Sequence, residues 1–262
     1  MKEFLNKLRD GRKVTIVALG DSNTELTWHT RGRLNWCGCL QEAMFETYGR
    51  NRCLVISAGR CGDTAGGALG RLDEDVLRFD PDLVIIGLGL NDACAGVAVD
   101  DFCTAMVQII DRVLAHNQAD VLLRTPNPIV NPPNPQVVRD GQPIAMELAG
   151  TRVAEFARAI VEIAESKGCS VVDHYRIWKR LEALRGRSIE EPNCLWLRMS
   201  DAVHPGPLGH LAFFRELAPL LCLPQRFPWE AAGPDDGGTD GFAWSCPNDS
   251  SRRADRAGEE KR

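Results

Sequence analysis

Three short segments of this sequence carry side chains that could do chemistry together. Gly20-Asp21-Ser22-Asn23 offers a hydroxyl, Gly89-Leu90-Asn91-Asp92 a side-chain amide, and Asp201-Ala202-Val203-His204-Pro205 an imidazole three residues after a carboxylate. A serine hydroxyl is a weak nucleophile and needs an adjacent base. Histidine serves at neutral pH because its pKa lies near the operating pH. A carboxylate fixes the imidazole tautomer and steadies the imidazolium, and donors must face the oxyanion that develops. Ser22, His204, Asp201 and the Asn91 amide supply those four parts, the equipment for acyl transfer from an ester.

Each residue also has a plainer reading when taken alone. Ser22 could cap a helix, His204 could be a surface histidine, and Asn91 could form a turn. Asp21 and Asp92 read as supports for loop backbone rather than as reacting groups. Trp28, His29 and Trp36 could line a pocket or simply be core. His29, His116, His174 and His210 carry no spacing that singles them out, and Cys61 is not favoured as a nucleophile.

The elements that must position these residues are legible as alternating short apolar runs and helical patterns. Strands are expected at 14–19, 53–57, 83–88, 120–124 and 169–173. Helices are expected at about 36–48, 64–79, 100–117, 148–167 and 208–221. Short apolar strands joined by helical crossovers predict an α/β fold, a three-layer α/β/α sandwich around a five-stranded parallel sheet. Five strands suit a flavodoxin-like order, 2-1-3-4-5, in which strands one and three are neighbours at the topological switch point. That order sets Ser22 and Asn91 side by side at the carboxyl edge of the sheet. The Pro- and Asn-rich stretch 125–143 would sit at the same edge and reads as a lid or substrate wall.

At this point the residues resemble a known family. Gly20-Asp21-Ser22, a glycine block after strand two, a G-x-N-D block after strand three and a terminal D-x-x-H resemble, in order, the four blocks of the SGNH (GDSL-type) hydrolases. The resemblance implies Ser22 as nucleophile, His204 as base and Asp201 as its orienter. It implies an oxyanion hole built from the Ser22 N–H, the Gly62 N–H and the Asn91 amide, with Gly59 as the second choice for the glycine. The chain departs from the family at three places: Asn23 stands where Leu is frequent, Ser57 where Asn is frequent, and Leu90 where Gly is frequent. Leu90 is expected to alter the turn or narrow the pocket.

The implied activity is serine-dependent hydrolysis of a carboxylic ester through an acyl-enzyme, with a short acyl group such as acetyl and no metal or organic cofactor. Lysophospholipase and thioesterase activities belong to the same family. A metal-dependent phosphoesterase is the rival outside it, but such sites need several converging His and carboxylate ligands, and no D-x-H, H-x-H or H-E-x-x-H occurs. The G-x-G at 87–89 does not complete a dinucleotide fingerprint, and no G-x-S-x-G elbow occurs.

The bulk properties agree. With 262 residues, 44% hydrophobic composition and a net charge of −5, the chain suits one large soluble domain and lacks the basic footprint of a nucleic-acid binder. No run approaches a membrane span, and the N-terminus does not resemble a signal peptide. The ten cysteines lack zinc spacing and read as reduced thiols of a cytoplasmic protein. Residues 1–230 are expected to form the hydrolase domain, with a small-molecule ester as its partner. The Gly-, Asp- and charge-rich segment 231–262 is expected to be a disordered tail.

Overall fold

A computed structural model describes residues 1–25, 28–116, 119–130, 138–139, 142–143, 147–186 and 193–225. The compact unit spans Met1–Gln225. The expected tail at 231–262 lies outside the described residues.

The elements run α1 (Lys2–Arg9), β1 (Val14–Gly20), α2 (Ser22–Glu25), α3 (Trp36–Tyr48), β2 (Cys53–Gly59), α4 (Ala65–Gly70), α5 (Leu72–Asp75), β3 (Leu83–Gly87), α6 (Leu90–Ala95), α7 (Val99–Ala115), β4 (Asp120–Arg124), β5 (Val138–Arg139), β6 (Gln142–Pro143), α8 (Glu147–Lys167), β7 (Ser170–Val172), α9 (His174–Lys179) and α10 (Pro207–Leu217). The main sheet has the order β2-β1-β3-β4-β7 and every pairing in it is parallel. This is the expected five-stranded, doubly wound order, with β7 as the fifth strand. The small β5–β6 pair is antiparallel and falls within the stretch expected as a lid.

The strands are apolar on both faces because both are covered. Val17, Leu19, Val84, Ile86, Val121 and Leu123 pack into one cluster with Phe102, Met106, Ile109 and Ile110 of α7 and with α8. Their alternating neighbours Ile16, Ala18, Ile85 and Leu122 are equally buried and face the other side, where α3 packs against β2 and α10. The α7 residues recur at the three- and four-residue spacing that keeps one stripe of a helix inward. Fully burying such a side chain contributes roughly 1.5–3 kcal/mol, so these two faces hold the sheet.

One expected helix is not continuous. The span 64–79 divides into α4, α5 and a 3-10 turn at Leu77–Phe79. Its first half, Ala65-Gly66-Gly67-Ala68-Leu69-Gly70, has weak helix propensity, and the break lets Arg71 turn inward to donate to the Gly20 carbonyl at 3.1 Å and to Asp63 at 2.7 Å. Helix α1 has no counterpart in the expected elements. Its sequence is mostly polar, and it is fixed by two buried residues, Phe4 and Leu8, and by bonds from Phe4 N–H to Asp120 and from Lys7 to Asp82.

Candidate active site

Strand β1 lies between β2 and β3, and Gly20, its last residue, pairs with Gly59 on one side and Gly87 on the other. The chain leaves all three strands at one edge of the sheet, which is why the blocks after them meet. Ser22 opens α2, directly after β1. A residue at a helix start has no acceptor for its N–H within the helix, so the Ser22 amide is free of helical duty. Asp21 sits just before it, buried, and its carboxylate accepts from the Asn23 N–H at 2.9 Å. Burial pushes the Asp21 carboxyl up, and the buried guanidinium of Arg124 pulls against that shift.

His204 reaches the same place from a loop ahead of α10. An antiparallel bridge between Met199 and Pro205 closes that loop, and Ser200 N–H donates to the His204 carbonyl at 2.8 Å. The two oxygens of Asp201 do different work. One accepts from the Val203 and His204 backbone amides at 2.8 and 2.6 Å. The other lies 2.8 Å from His204 Nδ1. Burial raises the Asp201 carboxyl, but the His204 ring and those amides outweigh it and hold it below the usual carboxylate range. An ionised carboxylate can only accept, so Nδ1 carries the imidazole proton. That leaves a lone pair on Nε2, which sits 3.1 Å from Ser22 Oγ. The geometry therefore joins Asp201, His204 and Ser22 in one chain of hydrogen bonds, with a proton acceptor facing the hydroxyl.

Asn91 lies in the first turn of α6, directly after β3. Its amide donates one hydrogen to the Asp63 carbonyl at 2.9 Å, which ties the third block to the second. Asp92 works on the same joint: its carboxylate accepts from the Ala65 N–H at the start of α4. Gly62 stands one residue before Asp63, in the left-handed region at φ 75° and with open space around the position of a Cβ. Gly59 differs. A Cβ there would run into the Glu25 backbone, so its glycine is required by the close approach of β2 to α2.

Four neighbours of the site are not singled out by sequence spacing. His29, one of the histidines given the plain reading, is buried and stacks on His204, ring centroids 4.0 Å apart and planes 15° from parallel. Burial, followed by the charge of His204, lowers its pKa to about 4, so it is a neutral ring at neutral pH. Arg124, at the end of β4, donates to Thr24 Oγ1 at 3.2 Å, and its guanidinium lies 5.0 Å from the ring centroid of Trp36 and 4.7 Å from that of Phe213. Arg71 holds the Gly20 carbonyl. Asn127 joins the segments that carry Ser22 and His204. The partners that tie them to the site lie far away in the chain, and no local pattern marks them.

Several expectations change in detail. Leu90 does not narrow a pocket: it is buried in the main core cluster. Trp36 is fully buried and donates its indole N–H to the Asn23 carbonyl at 3.1 Å, so it supports the site from behind. The side chain of Trp28 lies outside the described residues. Of the expected lid at 125–143, residues 125–130 are buried and Val130 N–H donates to the Ala202 carbonyl at 2.9 Å. That part is a wall under the His204 loop, and 131–137, 140 and 141 lie outside the described residues.

His29, Asp201 and His204 could together offer three ligand atoms to a cation, all within 4.8 Å of one another. Imidazole binds a metal in its ring plane, at about 2.0–2.1 Å for zinc. Two stacked rings send their lone pairs nearly parallel, so an ion in the plane of one lies out of the plane of the other.

The family model of the GDSL-like lipase/acylhydrolase family matches residues 18–212, three quarters of the chain and all four blocks. No curated protein matches the chain. Among solved structures, Axe2, an acetylxylan esterase from Geobacillus stearothermophilus, is similar with 19% identity and a TM-score of 0.60, over 83% of this chain and 98% of that one. The acetyl xylan esterase AlAXEase is similar with 20% identity and a TM-score of 0.63, over 78% and 98%. LAE5, an alpha/beta hydrolase enzyme from the metagenome of Lake Arreo, Spain, gives 18% and 0.62, over 80% and 96%. At these identities the structures share the fold. The match across the blocks at Ser22, Asn91 and His204 places this chain in the GDSL-like lipase/acylhydrolase family, and it is a carboxylic ester hydrolase.

Proposed function

We propose that the chain hydrolyses short-chain carboxylic esters with Ser22 as nucleophile, His204 as general base and acid, and Asp201 as the group that orients the imidazole. The observation that carries this reading is the unbroken chain from Asp201 through His204 to Ser22 Oγ. His204 Nε2 takes the Ser22 proton as Oγ bonds to the ester carbonyl carbon. The carbonyl oxygen becomes an oxyanion facing the Ser22 N–H, the Gly62 N–H and the second Asn91 amide hydrogen. His204 then gives its proton to the departing alkoxide, leaving an acyl-Ser22. Water enters, His204 takes one of its protons, and the reverse sequence releases the carboxylic acid and restores Ser22.

An acetylated carbohydrate is the preferred substrate class. It is supported by the Axe2 and AlAXEase structures, both named as acetylxylan esterases. Structures of Axe2 catalytic mutants replace a serine, an aspartate and a histidine, the same three residue types. The mechanism asks for no metal or organic cofactor. A cytoplasmic setting completes the reading. It is supported by thiols such as Cys37 and Cys53, which are buried and unpaired like small hydrophobes.

The test is hydrolysis of p-nitrophenyl esters from acetate to dodecanoate, and acetate release from acetylated xylo-oligosaccharides, with and without EDTA. Activity is expected on the shortest esters, insensitive to EDTA. Ser22→Ala is expected to lower kcat by about 10³-fold or more. Full activity in Ser22→Ala, or loss of activity with EDTA, would overturn the mechanism.

A further inference from the structure

Ser22 and His204 stand 182 positions apart on segments with little regular structure, a four-residue helix and a bridged loop. The hydrogen bond between them breaks whenever Ser22 Oγ is acylated. The imidazole must nevertheless stay in place, because it has to activate the water that frees the acyl group. A second tie between the two segments is needed that does not pass through Oγ.

We propose that Asn127 is that tie, a positioning residue that holds the segment of the nucleophile and the segment of the base in register. Asn127 is fully buried. Its Oδ1 accepts from the side-chain amide of Asn23, the residue after Ser22, at 3.2 Å. Its own amide donates to the Val203 carbonyl, the residue before His204, at 2.9 Å, and to the Pro128 carbonyl at 3.1 Å. The orientation is forced. Turning the Asn127 amide over would set its oxygen against two carbonyl oxygens, and turning Asn23 over would set oxygen against oxygen. Both ends of the bridge are themselves anchored. Asn23 is pinned by its N–H to Asp21 and by its carbonyl to the Trp36 indole. Beyond Asn127, Val130 N–H bonds to the Ala202 carbonyl. The bridge therefore runs from one residue beyond the nucleophile to one residue short of the base without touching a reacting atom.

It also gives Asn23 a purpose. The family frequently has leucine there, which could pack but could not reach Asn127 with a donor. In this chain the amide at 23 is matched to the amide at 127, so the two positions act as a pair.

The inference rests on the serine mechanism proposed above, and the experiment separates the two. Wild type, Ser22→Ala, Asn127→Leu, Asn23→Leu and the Asn23→Leu/Asn127→Leu double variant are compared for kcat, KM and thermal midpoint on p-nitrophenyl acetate. Asn127→Leu is expected to lower kcat by roughly 10- to 100-fold with KM nearly unchanged, the cost of a displaced catalytic group. Asn23→Leu is expected to lose about 10-fold, and the double variant no more than Asn127→Leu alone, because both cut one bridge. Wild-type kcat in a folded Asn127→Leu, or losses that multiply in the double variant, would overturn the proposal. Should Asn127→Leu not fold, Asn23→Leu cuts the bridge while leaving both Asn127 donor bonds intact, and wild-type kcat there overturns it equally. A fully active Ser22→Ala would instead overturn the serine mechanism itself.

Discussion

At the scale of single residues, the site divides labour within side chains as well as between them. Asp201 uses one oxygen to hold its own loop and the other to set the His204 tautomer. Asn91 spends one amide hydrogen on the Asp63 carbonyl, which aims the other. Asn91→Ala is therefore expected to lower kcat by about 10²-fold with a small change in KM, the signature of a donor used in the transition state. Steady-state kinetics on a short ester checks this, and a rate within about twofold of wild type would remove Asn91 from the oxyanion hole. The residues proposed for these tasks could be picked out in the sequence because each sits at a strand end or in the last loop, in a type suited to its chemistry. Asn127 was not. Asn127-Pro128 reads as loop punctuation, and its meaning lies in partners 104 and 76 positions away. His29 shows its role only once its ring is seen over His204.

At the scale of elements, the strands were legible because a sheet buried on both faces leaves unbroken apolar runs; their order was not in those runs and was expected only as the arrangement that five alternating strands suit. Helix α3 was equally clear: its bounds match the expectation, with Asn35 capping the first turn by accepting from Gly38 N–H at 2.9 Å. Of the break in the helix at 64–79 only half was legible: the glycines of Ala65–Gly70 weaken the helix, but the bonds of Arg71 to Gly20 and Asp63 that the break permits depend on the fold. The two glycines considered for the second block are separated at this scale. Gly59→Ala forces a Cβ against the Glu25 backbone, next to the segment that carries Ser22. It is expected to destabilise the fold by roughly 1–3 kcal/mol or more, as overpacking does, and to lower activity with it. Gly62→Ala meets open space and is expected to cost only about 1–2 kcal/mol of backbone strain from its positive φ. Denaturant midpoints of the two variants test the ranking, and an equal or reversed order would contradict it.

At the scale of the molecule, the layer beneath the site is built around buried groups whose proton affinities burial shifts away from their ordinary values. Burial lowers His210 to about 3, helped by the charge of Arg124, and lowers His29 to about 4, from an ordinary 6.5. His174 moves in the same direction through burial, opposed by Glu216. The unfolded chain protonates His210 and His29 near pH 6.5, whereas the folded chain resists until near pH 3–4. For His210 and His29 stability is therefore full above about pH 6.5 and falls as pH drops toward the folded values, by on the order of 1–2 kcal/mol each at about pH 5. The buried carboxyls Asp21 and Asp92, both pushed up by burial, act in the opposite sense, so the informative quantity is a difference. His210→Gln, which keeps an acceptor for the Trp36 N–H, is expected to reduce the acid-side slope of stability by about one proton. An unchanged slope by denaturant titration across that range would contradict the assignment.

The proposed mechanism stands on Ser22 as the nucleophile and His204 as its base. Reaction with a fluorophosphonate followed by peptide mass spectrometry tests it most directly, because phosphonylation needs the activated hydroxyl but not turnover of any chosen ester. One adduct is expected, on Ser22, lost in Ser22→Ala and strongly slowed in His204→Ala. An adduct on another residue, or an enzyme that hydrolyses esters while Ser22 remains unlabelled, would contradict it.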